Sequence, residues 1–214
     1  TLRIGRAAVP HLRRRGFHPT SACGSFGAAA AAGRLMGLDV EGMASALGLA
    51  GTQTCGVREG TGPGSAMMKR LHPGKAVQNG ILAALLAAEG YQGADTILEG
   101  ENGFLRLFAQ DYDLFHLTAG LGTSYLLEFC EIKPYSCCRH LHAPIESLLR
   151  LAAEHQMRPE NVERVAVRIY REGSYYTEPA PRSFGEAQFS MPFCLAVALN
   201  DGRLLPSDIR ANLL

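Results

Sequence analysis

The stretch GFHPTSACGSFGAAAAAGRLMG, residues 16–37, decides how the first half of this chain is built. Gly24 to Gly37 is dominated by small side chains, with five consecutive alanines at positions 28–32. Alanine favours helix, and small side chains let a helix approach its neighbours closely. His18, held by Pro19 just before this helix, is a fixed donor or base near the helix's positive end. The plainer alternative is a histidine that merely caps the helix.

Working outward, Asp39 is a suitable N-cap for a next helix in which Met43, Ala46, Leu47 and Ala50 share one face. Gly48 or Gly51 is expected to end it. Residues 52–66 are rich in glycine and hydroxyls and form a loop of the kind that often serves function. Pro73 suits the first turn of a helix running to about Glu89, closed by Gly90. Short helices follow around Ala94–Glu99 and Phe104–Ala109.

The second half changes character. Tyr125–Lys133 is rich in strand formers, and Pro144 starts a helix through Glu154. Val165, Val167 and Ile169 alternate with Ala166, Arg168 and Tyr170, the signature of a half-buried strand. Ser190 caps a helix over Met191–Leu199, with Phe193, Ala196 and Val197 on one face. The fold class expected is mainly α with an α+β part: an all-helical domain over 1–127, then an α+β domain over 128–214. No internal repeat is visible.

At 214 residues, 47% apolar and with a formal net charge of +1, the composition is that of a globular domain with a substantial core. Residues 1–38 carry Arg3, Arg6, Arg13, Arg14, Arg15 and Arg34 and no acidic residue. No aromatic residues alternate with these arginines and no nucleic-acid motif surrounds them, so no nucleic-acid partner is expected. Cys23, Cys55, Cys130, Cys137, Cys138 and Cys194 do not frame a disulfide scaffold, and reduced thiols in a cytoplasmic protein are expected. No apolar run reaches the length of a membrane span and no signal peptide is seen, so no membrane partner is expected. The start at Thr1 and the abrupt stop at Leu214 suggest a piece of a longer protein.

Two further clusters carry chemistry. Met68-Lys69-Arg70-Leu71-His72-Pro73-Gly74 places two cations and a histidine at the opening of a helix, a setting that suits carboxylate or phosphate. It fails the Walker A spacing, and the bland alternative is a solvated basic turn. Lys133-Pro134-Tyr135-Ser136-Cys137-Cys138-Arg139-His140-Leu141-His142 collects two thiols, two imidazoles and two cations. Zinc on Cys137, Cys138, His140 and His142 is disfavoured, because adjacent cysteines do not easily ligate one tetrahedral ion. A reactive cysteine beside cations, or two buried thiols beside a binding strip, both remain open.

These motifs resemble the MmgE/PrpD family in order and spacing. The resemblance rests on Gly16-Phe17-His18-Pro19-Thr20, Lys69-Arg70-Leu71-His72-Pro73-Gly74, Leu98-Glu99-Gly100 with Gly103-Phe104, and Lys133-Pro134-Tyr135 with His142. It continues through Ala187-Gln188-Phe189-Ser190-Met191-Pro192-Phe193 to Asp201-Gly202. The family includes 2-methylcitrate dehydratase, cis-aconitate decarboxylase and iminodisuccinate epimerase. The resemblance implies a homodimer with a helical domain, a smaller α+β lid and an active site in the cleft between them. It implies action on small di- or tricarboxylates without metal or organic cofactor.

By the same resemblance His18, Lys69 and Lys133 are catalytic candidates, and His72, Arg139, His142 and Cys138 are substrate-binding candidates. The decarboxylase branch has a histidine five residues after the lid lysine, where this chain has Cys138, and a tyrosine near Tyr175 or Tyr176. Cys138 therefore argues against decarboxylation. An upstream aspartate-and-histidine loop of the family has no match here, so this chain alone is expected to be inactive. The activity expected of the intact protein is proton removal next to a carboxylate, dehydratase-like, with epimerisation or non-catalytic carboxylate binding as alternatives.

Overall fold

Alanine and glycine, rather than large apolar residues, set the helix packing in the first half of the chain. A computed structural model describes residues 1–61 and 67–213. The first unit comprises Thr1–Thr61 and Met67–Cys130. It contains α1 (Leu2–Ala8), α2 (His11–Arg14), α3 (Pro19–Met36), α4 (Val40–Thr52), α5 (Met68–Ala88), α6 (Phe104–Phe108) and α7 (Phe115–Thr118).

Helices α3, α4 and α5 pack around Ala29, Ala46, Ala50, Ala83, Ala84 and Ala87. Gly80 of α5 lies against the Ser25 carbonyl, Ala28 and Ala29 of α3, with no room for a β-carbon. Gly24 meets Ala76 and Ala28 meets Gly80, so the contacts advance in the same direction along both helices. The two helices therefore run parallel, and their N-terminal ends come together. A second core joins Leu12, Cys23 and Phe26 to Phe104 and Leu105, with the Phe26 and Phe104 rings edge to face at 5.1 Å.

The second unit, from Glu131 onward, contains α8 (His142–Glu154), α9 (Phe184–Ala187), α10 (Met191–Asp201) and α11 (Pro206–Ala211). Its core holds Leu141, Ile145, Cys194, Ala198, Leu204 and Ile209, all essentially inaccessible to solvent. Ser190 caps α10 by accepting from the Phe193 N–H at 3.1 Å. The cap at Asp39 also forms, its Oδ1 accepting from the Gly42 N–H at 2.8 Å. Among the described residues no helix is long and apolar enough to cross a membrane.

Several local expectations are corrected. Helix α5 starts at Met68, and Pro73 sits inside it. Proline removes only its own N–H, here the donor that would reach the Lys69 carbonyl, so the residues before it still form the first turn. Helix α4 runs past Gly48 and Gly51, which instead seat the backbone at 93–94 and the Ile97 side chain. Residues 95–99 are turns rather than helix. Leu126–Phe129 is a short 3-10 turn rather than a strand.

Among the described residues the single β interaction is a bridge between Phe17 and Val57, so the α+β lid is not seen. Val165–Ile169 has no partner strand in the described part of its unit, and a period-two pattern becomes a sheet only when a second strand pairs with it. Of the loop expected over 52–66, Thr52 ends α4, a 3-10 turn forms at Arg58–Thr61, and residues 62–66 lie outside the described residues.

Candidate active site

His18 is placed from two sides. As N-cap of α3 it has extended backbone angles, and its N–H donates to the Gly56 carbonyl at 2.9 Å. The Arg58 N–H donates to the Gly16 carbonyl at 2.7 Å, flanking the Phe17–Val57 bridge. Gly56 has φ +118, and any side chain there would run into Ser21. A glycine is thus needed for the 56–58 segment to lie beside residues 16–18. Thr54 donates its hydroxyl to the Ala22 carbonyl, and Asn79 of α5 donates to the Gln53 carbonyl at 2.8 Å. The loop is thereby tied to both long helices.

The parallel packing of α3 and α5 then brings His72, in the second turn of α5, against His18. Their Nδ1 atoms are 2.8 Å apart and their ring centroids 5.0 Å apart, tilted by 38°. His72 is 8% exposed. Two imidazole nitrogens at this distance share one proton: one ring donates and the other accepts. Burial, followed by His72, Lys69, Arg13 and Arg58 in decreasing order, pulls the His18 pKa down to about 4. His18 is therefore neutral at pH 7, in the positive field of these side chains. Lys69 was singled out from the sequence. Arg13 was noticed only as part of a basic stretch. Arg58 was missed, because its position depends on the pairing of residues 16–18 with 56–58.

The second unit brings together Lys133 and His142. Lys133 Nζ donates to the Cys137 carbonyl at 3.3 Å, and His142 Nε2 is 3.4 Å from the same oxygen. His142 is 3% exposed, and its Nδ1 has no hydrogen-bond partner among the described residues. Burial, more than the nearby Arg139 and Lys133, holds its pKa below the ordinary value, against an opposing pull from the Cys137 carbonyl. Tyr135, whose ring meets the His142 ring edge-on at 5.4 Å, donates to Glu146. Burial and that bond push the phenol up to about 12.

The remaining candidates are differently disposed. Arg139 is exposed and paired with Glu131 through bonds of 3.0 and 2.5 Å. Cys138 is buried, with its N–H donating to the Gln188 carbonyl at 2.8 Å. The Cys194 thiol is pushed up, first by its hydrogen bond with Cys137 and then by burial. Tyr175 is exposed and accepts from Arg171 at 2.8 Å, whereas Tyr176 stacks on His140 at 5.5 Å. Among the described residues no group of three or more His, Cys, Asp or Glu side chains is arranged to hold a metal ion. Cys137, Cys138, His140 and His142 therefore form no such ligand set.

Comparison with known proteins places this geometry in context. Residues 1–115 match the MmgE/PrpD N-terminal domain and residues 135–214 the MmgE/PrpD C-terminal domain. The chain is 32% identical to cis-aconitate decarboxylase of Aspergillus terreus over 96% of its own length and 45% of that protein's. It is likewise 32% identical to cis-aconitate decarboxylase of Homo sapiens, over 87% of its own length and 39% of the relative's. The cis-aconitate decarboxylase-like protein oryM of Aspergillus oryzae is 29% identical over 95% of this chain. The chain thus spans less than half the length of the curated relatives it matches. With both domain models matched in order, the chain belongs to the MmgE/PrpD family.

Proposed function

We propose that this protein is a cofactor-independent lyase or isomerase that removes a proton next to a carboxylate of a small di- or tricarboxylate. The observation that most supports this is a neutral His18 hydrogen-bonded to His72 among Lys69, Arg13 and Arg58. A carbon acid beside a carboxylate needs an unprotonated base and positive charge to stabilise the forming enolate. Both are present around one ring. A bound substrate carboxylate cancels part of the positive field, so the proton affinity of His18 rises when substrate arrives.

In this account His18 is the base, and Lys69 holds the enolate charge. Arg13 and Arg58 supply further positive field. Loss of a neighbouring hydroxyl as water gives a 2-methylcitrate dehydratase-like reaction; reprotonation from the opposite face gives epimerisation of an iminodisuccinate-like substrate. Lys133, with His142 and Arg139 nearby, is the second unit's candidate for holding a carboxylate. Decarboxylation has the names of the relatives in its favour, and they support the tricarboxylate class. Cys138, standing where the resemblance expects a histidine, argues against it.

Two structural expectations join this reading. The outer face of α5 exposes Val77, Ile81, Leu82 and Leu85, an apolar surface that suits a homodimer. The alternation at Val165–Ile169 suits a strand of an α+β lid. The test of function is a screen of the whole protein in deuterated water with a panel of di- and tricarboxylates. Deuterium entering at one carbon next to a carboxylate supports the reading. Tight carboxylate binding without exchange would instead favour a non-catalytic binding protein.

A further inference from the structure

The contact between His18 and His72 has a direction. Its 2.8 Å separation between two Nδ1 atoms requires one proton between them, so the tautomers of the two rings are linked. We propose that His72 is a positioning residue for His18: its Nδ1 accepts the proton carried by His18 Nδ1, leaving His18 Nε2 as a bare lone pair.

The charges around the pair set this direction. The groups whose charge acts on His18 are Lys69 and His72 from α5, Arg13 from α2 and Arg58 from the 3-10 turn. All the charged ones are positive. With Nδ1 engaged by His72, Nε2 is the other ring nitrogen of His18, set in the field of these cations. A lone pair pointing into a positive field is favoured over an N–H pointing into it. The reverse tautomer sets a hydrogen toward the cations and removes the base. His72 is itself held in place, buried on a helix whose packing against α3 leaves no space for even one β-carbon at Gly80. An imidazole in water prefers its proton on Nε2, so without a partner at Nδ1 the basic nitrogen would be the wrong one.

The tautomer itself does not depend on the catalytic reading, but its consequence for turnover rests on that reading. The test is a long-range 1H–15N correlation spectrum of the 15N-histidine-labelled chain at neutral pH, with His18 and His72 assigned by substitution. We expect the proton on Nδ1 of His18 and on Nε2 of His72. His72→Asn, whose amide oxygen lies close to the former Nδ1, retains the His18 tautomer. His72→Phe moves the His18 proton to Nε2.

A wild-type His18 protonated on Nε2, or one left on Nδ1 by His72→Phe, overturns the proposal. If His72→Phe does not fold, the wild-type spectrum and the Asn variant still decide. In the whole protein His72→Phe lowers kcat by about a hundredfold with little change in KM, and His72→Asn recovers most of it. Equal losses in both variants contradict a positioning role. If the tautomer is as stated but no carboxylate exchanges, the proton-abstraction reading fails and the positioning of His18 stands.

Discussion

Gly80 of α5 lies directly against the backbone carbonyl of Ser25 in α3. That approach is part of the parallel α3–α5 packing that brings His72 to His18. A methyl group at position 80 would meet the Ser25 oxygen, the Ala28 side chain and the Ala29 nitrogen, all closer than atoms pack. Backbone on the far side has little freedom to yield.

Gly80→Ala is therefore expected to destabilise the chain by about 1–3 kcal/mol, even though alanine is the better helix former by roughly 1 kcal/mol. Gly74→Ala, on the same helix with nothing within 4 Å of its β-carbon, is expected to stabilise slightly. Urea unfolding of both variants checks this. Equal effects at the two sites would contradict close packing at Gly80.

Acid should weaken the fold through His18. The folded ring titrates at about 4 rather than the ordinary 6.5. Between these values the unfolded chain binds more protons, so stability rises with pH across that window. The contribution is complete above 6.5, falls as pH drops, and changes no further below about 4. Burial moves His142 in the same direction. The fall in urea midpoint between pH 7 and pH 4 should shrink in His18→Gln, and shrink further with His142→Gln added. An unchanged fall in both variants would refute this origin.

The thiols should divide by burial. Cys55 and Cys130 are exposed, whereas Cys23, Cys137, Cys138 and Cys194 are buried. Burial pushes Cys23 up to about 11, and Cys194 is also raised. Thiolates react and thiols do not, so iodoacetamide should label Cys55 and Cys130 first. Peptide mass spectrometry follows each site. Early labelling of Cys138 would point instead to a reactive thiol beside Lys133 and Arg139.

Much of the helical scaffold was legible because it rests on local chemistry. The small-residue run at 24–37 marks α3, Asp39 marks the start of α4, and Ser190 with Pro192 marks α10. The start of α5 was misplaced because proline is read as a helix opener, although a helix tolerates it a turn later when only one donor is lost. The alternation at Val165–Ile169 holds only in part: Val167 and Ile169 pack on the core of the second unit, but Val165 is exposed like Arg168. Pairing is a long-range property, and alternation within one segment does not supply the partner.

The candidate site was legible by motif but not by distance. His18 and His72 lie fifty-four positions apart, and nothing in either motif announces a 2.8 Å contact. That contact follows from glycine and alanine at the α3–α5 interface. Arg58 had no signal of its own, since a two-residue bridge between Phe17 and Val57 puts it there.

The central claim is that His18 removes a proton next to a carboxylate. The most direct measurement is deuterium incorporation from solvent into the substrate that the exchange screen identifies, compared between the whole wild-type protein and its His18→Gln variant. The account predicts exchange at a single carbon in the wild type and a loss of about a hundredfold or more in the variant, with substrate still bound. Exchange at wild-type rate in His18→Gln would contradict it.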